Sequence, residues 1–294
     1  MADKATSTVV QPRLSSAVML LRPAPLARRQ PAPLARRQDL PSGQGIEVFM
    51  VRRVIQSDFM PDVYVFPGGS VSADDRAAEL AQDVCMPVMP VAPAAADPEA
   101  RTVLGSGVRA AAIRELFEEA GVLLAYRNGE ILAINEEDVP RFAAYRQAFN
   151  QRRGSLVELA RVENLRLATD HLGYFAHWIT PEGMPKRFDT HFFITTAPAE
   201  QEAAYDRLET SEGVWITPGE ALARCEQGTF PLVFATIHQL RDLAAFSSVK
   251  QALESTTTRH VATHMPVLVR ENGVTRVYLP EDAANPWDVP KHMT

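Results

Sequence analysis

Glu115, Glu118 and Glu119 stand at positions i, i+3 and i+4 of the run Arg114-Glu115-Leu116-Phe117-Glu118-Glu119-Ala120-Gly121-Val122. On an α-helix that spacing puts three carboxylates on one face. Like charges so placed repel, and the helix gains nothing from grouping them. A divalent cation reverses the sign of the interaction. An all-oxygen donor set suits Mg²⁺ or Mn²⁺, ions that serve phosphate chemistry. A solvated acidic face has the same composition, so the trio alone leaves both readings open. Upstream, Phe66-Pro67-Gly68-Gly69 ends an apolar run. Glycine there tolerates unusual backbone angles and lets main chain approach a metal or phosphate closely. A plain turn is the simpler reading of Pro-Gly-Gly taken alone.

The elements that must position these groups follow from periodicity. Ser106 or Gly107 can cap a helix over 108–120, with Ala110, Ala111, Ile113, Leu116 and Phe117 forming its apolar side. Gly121 fits the position just past a helix end. Strands are expected at 16–21, 46–51 and 63–66, the last running into the Gly-Gly turn. A short helix at 74–84 and a Pro-rich stretch to residue 96 follow. Further strand pieces are expected at 122–125 and 130–132, and helices at 140–153 and 156–159. Residues 172–179 and 190–196 read as a hairpin pair, and 212–216 as another strand. Helices over 218–225 and 232–246 follow. Asn272-Gly273 between 266–270 and 275–279 reads as a two-residue β-hairpin.

Together these residues resemble the Nudix box. Positions 114 to 122 fit its second half, and Phe66 to Gly69 resemble its start. Asp75 stands where the family carries an acid, usually Glu. Thirty-eight residues, 76 to 113, separate it from Arg114, where the usual box has a short spacer. The box is split, which resembles the subgroup that includes the peroxisomal coenzyme A diphosphatase of mammals. The strings Trp178-Ile179-Thr180-Pro181, Lys186 to Phe193 and Glu212 to Pro218 fit the same subgroup.

The resemblance implies an α/β fold: a Nudix-type α/β/α sandwich with a mixed sheet, an insertion inside the box at about 76–107, and extra C-terminal helices plus a β-hairpin at about 218–294. The expected domain plan is a disordered tail over 1–13 and one domain over 14–294. The implied activity is hydrolysis of a diphosphate linkage in a nucleoside diphosphate derivative, with Mg²⁺ or Mn²⁺ as cofactor. Coenzyme A or acyl-coenzyme A is the first choice of substrate, and ADP-ribose, NADH or another dinucleotide the alternative. A non-catalytic nucleotide-sensing module is the reading from a different class. Glu118 and Glu119 are the expected principal metal ligands, with Glu115 sharing or orienting, and the Gly69 carbonyl completing the sphere. Arg114 is expected to ion-pair within the box, with Asp75 as a candidate partner. Glu209 and Glu212 are candidates for the general base, or ordinary exposed acids. Arg187, Asp189 and Glu212 are expected substrate contacts; for Arg187 and Asp189 an intrachain pair is the alternative.

Composition narrows the field. Net charge is −6, with 30 basic and 36 acidic residues. That argues against a general nucleic-acid binder. Cys85 and Cys225 form no CxxC motif, so neither a zinc site nor a disulfide framework is expected, and a cytoplasmic setting is the default. No apolar run is long enough to span a membrane. The seven histidines match no ligand spacing, and His177 and His191 read as satisfied core or edge residues. G-x-S-x-G, G-x-G-x-x-G and the P-loop are absent. An identical tandem octapeptide fills 23–30 and 31–38 and reads as a solvated surface loop. The C-terminal helix and hairpin could build a homodimer or close the monomer, and both stay open.

Overall fold

The structure is a computed structural model that describes residues 10–25, 45–57, 59–87 and 106–290. Most of the octapeptide repeat, residues 1–9 of the expected tail and much of the insertion lie outside the described residues.

The described chain builds an eight-stranded mixed sheet. Its centre is β1 (Arg13–Pro23), paired in parallel with β9 (Phe188–Thr196). Along its other edge β1 changes partner. Its last residues pair antiparallel with β2 (Ile46–Arg53), and its first with β4 (Gly68–Ser70). On the outside, β10 (Thr210–Ile216) and β3 (Tyr64–Val65) pair with β2. On the far side, β8 (Gly173–Ile179) pairs with β9, and β11 (Thr263–His264) runs parallel to β8. The near-continuous apolar runs of β1 and β2 are what a strand covered on both faces requires.

Alternation then splits the core in two. Val18, Leu20, Phe49, Val51 and Phe193 face one layer, where they meet Ile113, Leu116 and Phe117 of α2 (Val108–Ala120). Met19, Leu21, Val48, Met50 and Ile194 face the other. There they meet Ala221 and Leu222 of α5 (Pro218–Glu226), Leu240 and Leu243 of α6 (Phe234–Ala244), and Ala252 of α7 (Val249–Ser255). This is the expected α/β/α sandwich. Beside α2 lie α1 (Ala73–Leu80), α3 (Val139–Asn150) and α4 (Leu156–Val162). A small sheet of β5 (Ala125–Arg127), β6 (Glu130–Ile131) and β7 (Leu165–Leu167) completes that side.

Several boundaries differ from the sequence reading. The helix expected over 74–84 ends at Leu80, because Ala81 turns extended and Cys85 then bridges Leu167 of β7. The first strand is longer than 16–21, since partners on both edges prolong its ladder. Helix α7 and the short strands β7 and β11 carry too little periodicity to be read locally; tertiary neighbours create them. The C-terminal hairpin, β12 (Val267–Glu271) and β13 (Val274–Tyr278), is as expected, with Asn272 at φ 51° and Gly273 at φ 76°. The structure adds β14 (Trp287–Asp288) to it. Both cysteines are free.

Candidate active site

The carboxylates of α2 are held against the Gly-Gly turn. A methyl group on Gly69 would lie 2.2 Å from Glu115 Oε1, and one on Gly68 would lie 2.6 Å from Ala17 Cβ and from Ser16 O. Only glycine lets β4 lie between β1 and the helix. The Gly68 N–H donates to Glu119 Oε2 at 3.1 Å. Gly69 lies opposite Ser16 in the β4–β1 ladder. A carbonyl has two lone pairs, so a ladder bond leaves one for a metal.

Arg114 organises the other two. Its Nη1 donates to Glu115 Oε1 at 2.8 Å and to Glu118 Oε1 at 3.0 Å. Its Nε and Nη2 form a two-pronged pair with Asp75 at 2.9 and 3.0 Å, and Nη2 also reaches the Ser70 carbonyl at 2.9 Å. The Asp75 side chain is fully buried. Asp75 also closes a reciprocal cap with Ser72 at the start of α1. The two halves of the split box therefore meet through Asp75 and Arg114, as the sequence suggested.

Both ends of α2 are built for this placement. Of the two expected caps, Ser106 and Gly107, the structure uses Gly107, at φ 89° and with no side-chain hydrogen bond. Gly121 ends it at φ 71°. Arg146, from α3, donates to the Glu118 and Glu119 carbonyls at 2.9 and 3.0 Å and to the Ala204 carbonyl. It satisfies carbonyls that a helix end leaves open. Sequence reading missed Arg146; a basic residue on a neighbouring helix carries no local signal of what it caps.

Burial gives the site its electrostatic character. Glu115 and Glu119 are 8% and 9% exposed. Burial pushes the Glu115 carboxyl up to about 7, against the pull of Arg114. Burial raises Glu118 as well, and raises Glu119 far above the usual carboxylate range, with Glu115 adding to it. Glu209 pushes both Glu118 and Glu119 in the same direction. Two buried carboxylates and a half-buried third, all raised toward protonation, fit a divalent cation: hard oxygens, excess negative charge and one arginine between them.

The remaining expected residues lie elsewhere. Arg187 is 5% exposed, and it donates to the Thr180 and Val10 carbonyls and to Met265 Sδ. Substrate contact would have to break these bonds. Glu212 accepts from the Tyr64 hydroxyl at 2.6 Å and sits beside Arg52, on the face of the sheet opposite α2. Asp189 lies 2.5 Å from His177 Nε2 and 3.7 Å from His191 Nε2. His177 is hydrogen-bonded through both ring nitrogens, as expected of a core histidine. His191 is not: its Nε2 is buried without a hydrogen bond. Burial beside His177 holds that ring's pKa down at about 3, so it is neutral. Among the described residues no helix is long and apolar enough to cross a membrane.

Comparison with known proteins agrees with this geometry. The acyl-coenzyme A diphosphatase NUDT19 of Xenopus laevis is 24% identical over 274 residues, covering 82% of this chain and 72% of that protein. The human protein of the same name is 27% identical over 242 residues, covering 71% of this chain and 63% of its own length. In fold, the chain resembles the crystal structure of a NUDIX hydrolase from Alicyclobacillus acidocaldarius, with TM-score 0.64 and 21% identity over 85% of this chain and 98% of that one. A family model described as the NUDT19 Nudix domain matches residues 13–243. The match takes in both halves of the split box and every strand from β1 to β10, and the protein belongs to the NUDT19 Nudix domain family of Nudix hydrolases.

Proposed function

We propose that this Nudix pyrophosphohydrolase cleaves the diphosphate of coenzyme A or an acyl-coenzyme A with a divalent metal, releasing 3′,5′-ADP and a phosphopantetheine product. The observation that carries the reading is the closure of the split box. Asp75 and Arg114, 39 residues apart, lock the buried glutamates of α2 onto Gly68 and Gly69. The names of the Xenopus and human relatives support the substrate. A nucleotide-sensing module has no need of three mutually repelling carboxylates, two of them buried, which favours the enzyme.

In this reading Glu115, Glu118, Glu119 and the Gly69 carbonyl hold Mg²⁺ or Mn²⁺. When bound there, such an ion would supply charge neutralisation of the diphosphate oxygens and a more acidic water. Arg114 keeps Glu115 and Glu118 turned inward, and Asp75 keeps Arg114 in place. Arg146 fixes the end of the helix that bears Glu118 and Glu119. Glu209, whose charge reaches both of them, is better placed as general base than Glu212, which is bound to Tyr64. Asp189 stays a candidate substrate contact through the quarter of its side chain that is exposed. Two free cysteines suit a reducing, cytoplasmic setting.

A mass-spectrometric product screen tests the substrate. Coenzyme A, acetyl-coenzyme A, ADP-ribose and NADH are each incubated with protein and Mg²⁺ or Mn²⁺. Release of 3′,5′-ADP from the first two is expected. Turnover of ADP-ribose or NADH alone keeps the chemistry and replaces the substrate, and no turnover with either metal sinks the enzymatic reading.

Metal dependence has its own pH signature. Glu115 binds its proton more tightly folded, at about 7, than at its ordinary 4.5. The folded state then holds more protons between those values, so metal-free stability falls as pH rises across that window. Glu79, also raised by burial to about 7, adds to the same slope. A divalent cation competes with the proton at Glu115 but not at Glu79. Mg²⁺ or Mn²⁺ is therefore expected to raise the melting temperature at pH 8 and to do little at pH 5. Equal shifts at both pH values would rule out the carboxylates as the binding site.

A further inference from the structure

One row of the sheet runs from the carboxylate site to a second cluster. Gly69 on β4 pairs with Ser16 on β1, Ser16 with His191 on β9, His191 with His177 on β8, and His177 with Thr263 on β11. Partners in a row share a face. His191 is thus two strands from the glycine that touches Glu115, roughly 10 Å at the usual strand spacing. It lies on the same side of the sheet.

At that point one ring nitrogen each of His177 and His191 and an Asp189 oxygen lie within 4.8 Å of one another. The two imidazoles stack with centroids 4.2 Å apart. Three features go beyond ordinary core packing. First, His191 is fully buried, yet its Nε2 has no hydrogen bond and lies 3.7 Å from Asp189. An unpaired buried polar atom is costly. Second, each ring's other nitrogen meets a hydroxyl. His177 Nδ1 lies 2.8 Å from Thr263 Oγ1, and His191 Nδ1 lies 3.0 Å from the Tyr174 hydroxyl. A Tyr174 hydroxyl that accepts from His191 Nδ1 leaves the His191 Nε2 lone pair facing Asp189, and Thr263 Oγ1 can accept from His177 Nδ1 once the proton between His177 Nε2 and Asp189 is displaced; metal-binding histidines are oriented in this way. Third, the Asp189 side chain is a quarter exposed, which gives an ion an entrance.

We propose that His177, His191 and Asp189 form a second metal site, separate from the carboxylates of α2, that takes a Zn²⁺-class ion. Two imidazoles and one carboxylate suit a borderline ion such as Zn²⁺ or Co²⁺ better than Mg²⁺, which prefers oxygen alone. Three protein ligands leave a fourth position for water or an anion. On binding, the ion takes the place of the proton between His177 Nε2 and Asp189; the imidazole then carries its one proton on Nδ1, donated to Thr263 Oγ1, and stays neutral while Nε2 and the carboxylate turn to the ion. Tetrahedral coordination needs ligand atoms farther apart than the present 2.5 Å between His177 and Asp189 and ring lone pairs that converge, so rotation of the imidazoles out of their 16° stacking is part of binding.

The test uses full-length protein stripped with a chelator and then titrated with Co²⁺ and Zn²⁺. Visible Co²⁺ bands report coordination, and equilibrium dialysis reports stoichiometry. One Co²⁺ that excess Mg²⁺ does not displace is expected, with the bands of a nitrogen-containing, low-coordinate site. Glu118→Gln should retain it. His191→Ala and Asp189→Asn should lose it, and Thr263→Val should weaken it about 10-fold. Folding of each variant is checked by circular dichroism. If His191→Ala or Asp189→Asn does not fold, imidazole ¹⁵N shifts of wild-type His177 and His191 on Zn²⁺ addition decide instead. The proposal is overturned if Mg²⁺ displaces all Co²⁺, if Glu118→Gln abolishes binding, if folded His191→Ala binds like wild type, or if neither imidazole shifts.

Discussion

Glu118→Gln is expected to cut turnover by about 10³-fold, the scale seen when one preorganised electrostatic partner of a reaction is removed, and to leave the fold intact. Gln keeps the shape of Glu and can still accept from Arg114 Nη1, now 3.0 Å from Glu118 Oε1. What disappears is a charge. Burial and Asp75 already disfavour that charge, and Arg114 only partly compensates for it. Without metal, the variant should therefore melt no lower than wild type. With metal, the stabilisation seen in wild type should shrink. Steady-state rates with coenzyme A, together with melting curves in chelator and in Mg²⁺, check both statements. Full activity in the variant would remove Glu118 from the site. Lost activity with a large fall in metal-free stability would make it a structural residue.

Arg114→Ala is expected to act in the opposite order, on stability first. The Asp75 side chain is fully buried, and two of the Arg114 nitrogens bond to it. Removing one partner of a buried pair strands the other, at a cost of about 3–5 kcal/mol. That is a large share of the roughly 5–15 kcal/mol by which a domain is stable. Three carboxylates, those of Asp75, Glu115 and Glu118, lose their shared cation at once. Arg114→Lys should recover only part, because an ammonium cannot reproduce the planar fork. Urea titration at constant m-value measures the loss. The double variant with Asp75→Asn should lose clearly less than the sum of the two singles. Additive losses would mean that the pair holds nothing together.

The contrast between these variants separates two jobs inside one short motif. Arg114, Asp75 and Arg146 are framework: they bind the helix to the Gly-Gly turn and to its neighbours. Glu115, Glu118 and Glu119 are charges that the framework holds in place against repulsion. A protein spends stability in this way where the charges have a ligand to meet.

Much of this was written in the chain itself. The i, i+3, i+4 spacing of the glutamates fixes a shared helix face whatever surrounds it, because helical geometry is local. Gly121 ends the helix, and Asn272-Gly273 turns the hairpin, through backbone angles that those residues adopt readily. The near-continuous apolar runs of β1 and β2 suit strands covered on both faces. Other features belong to the tertiary structure alone. The family resemblance offered Asp75 as a partner for Arg114, but they meet only because α1 and α2 pack side by side, since no local pattern spans 39 residues. Arg187 and Glu212, expected to contact substrate, are drawn to Thr180, Val10 and Tyr64, partners that a sequence does not display. His177 and His191 look like ordinary core residues along the chain. Only strand pairing sets them face to face with Asp189 and leaves His191 Nε2 without a bond. Spacing within one element is decided by covalent geometry, whereas distance between elements is decided by which surfaces the core buries together.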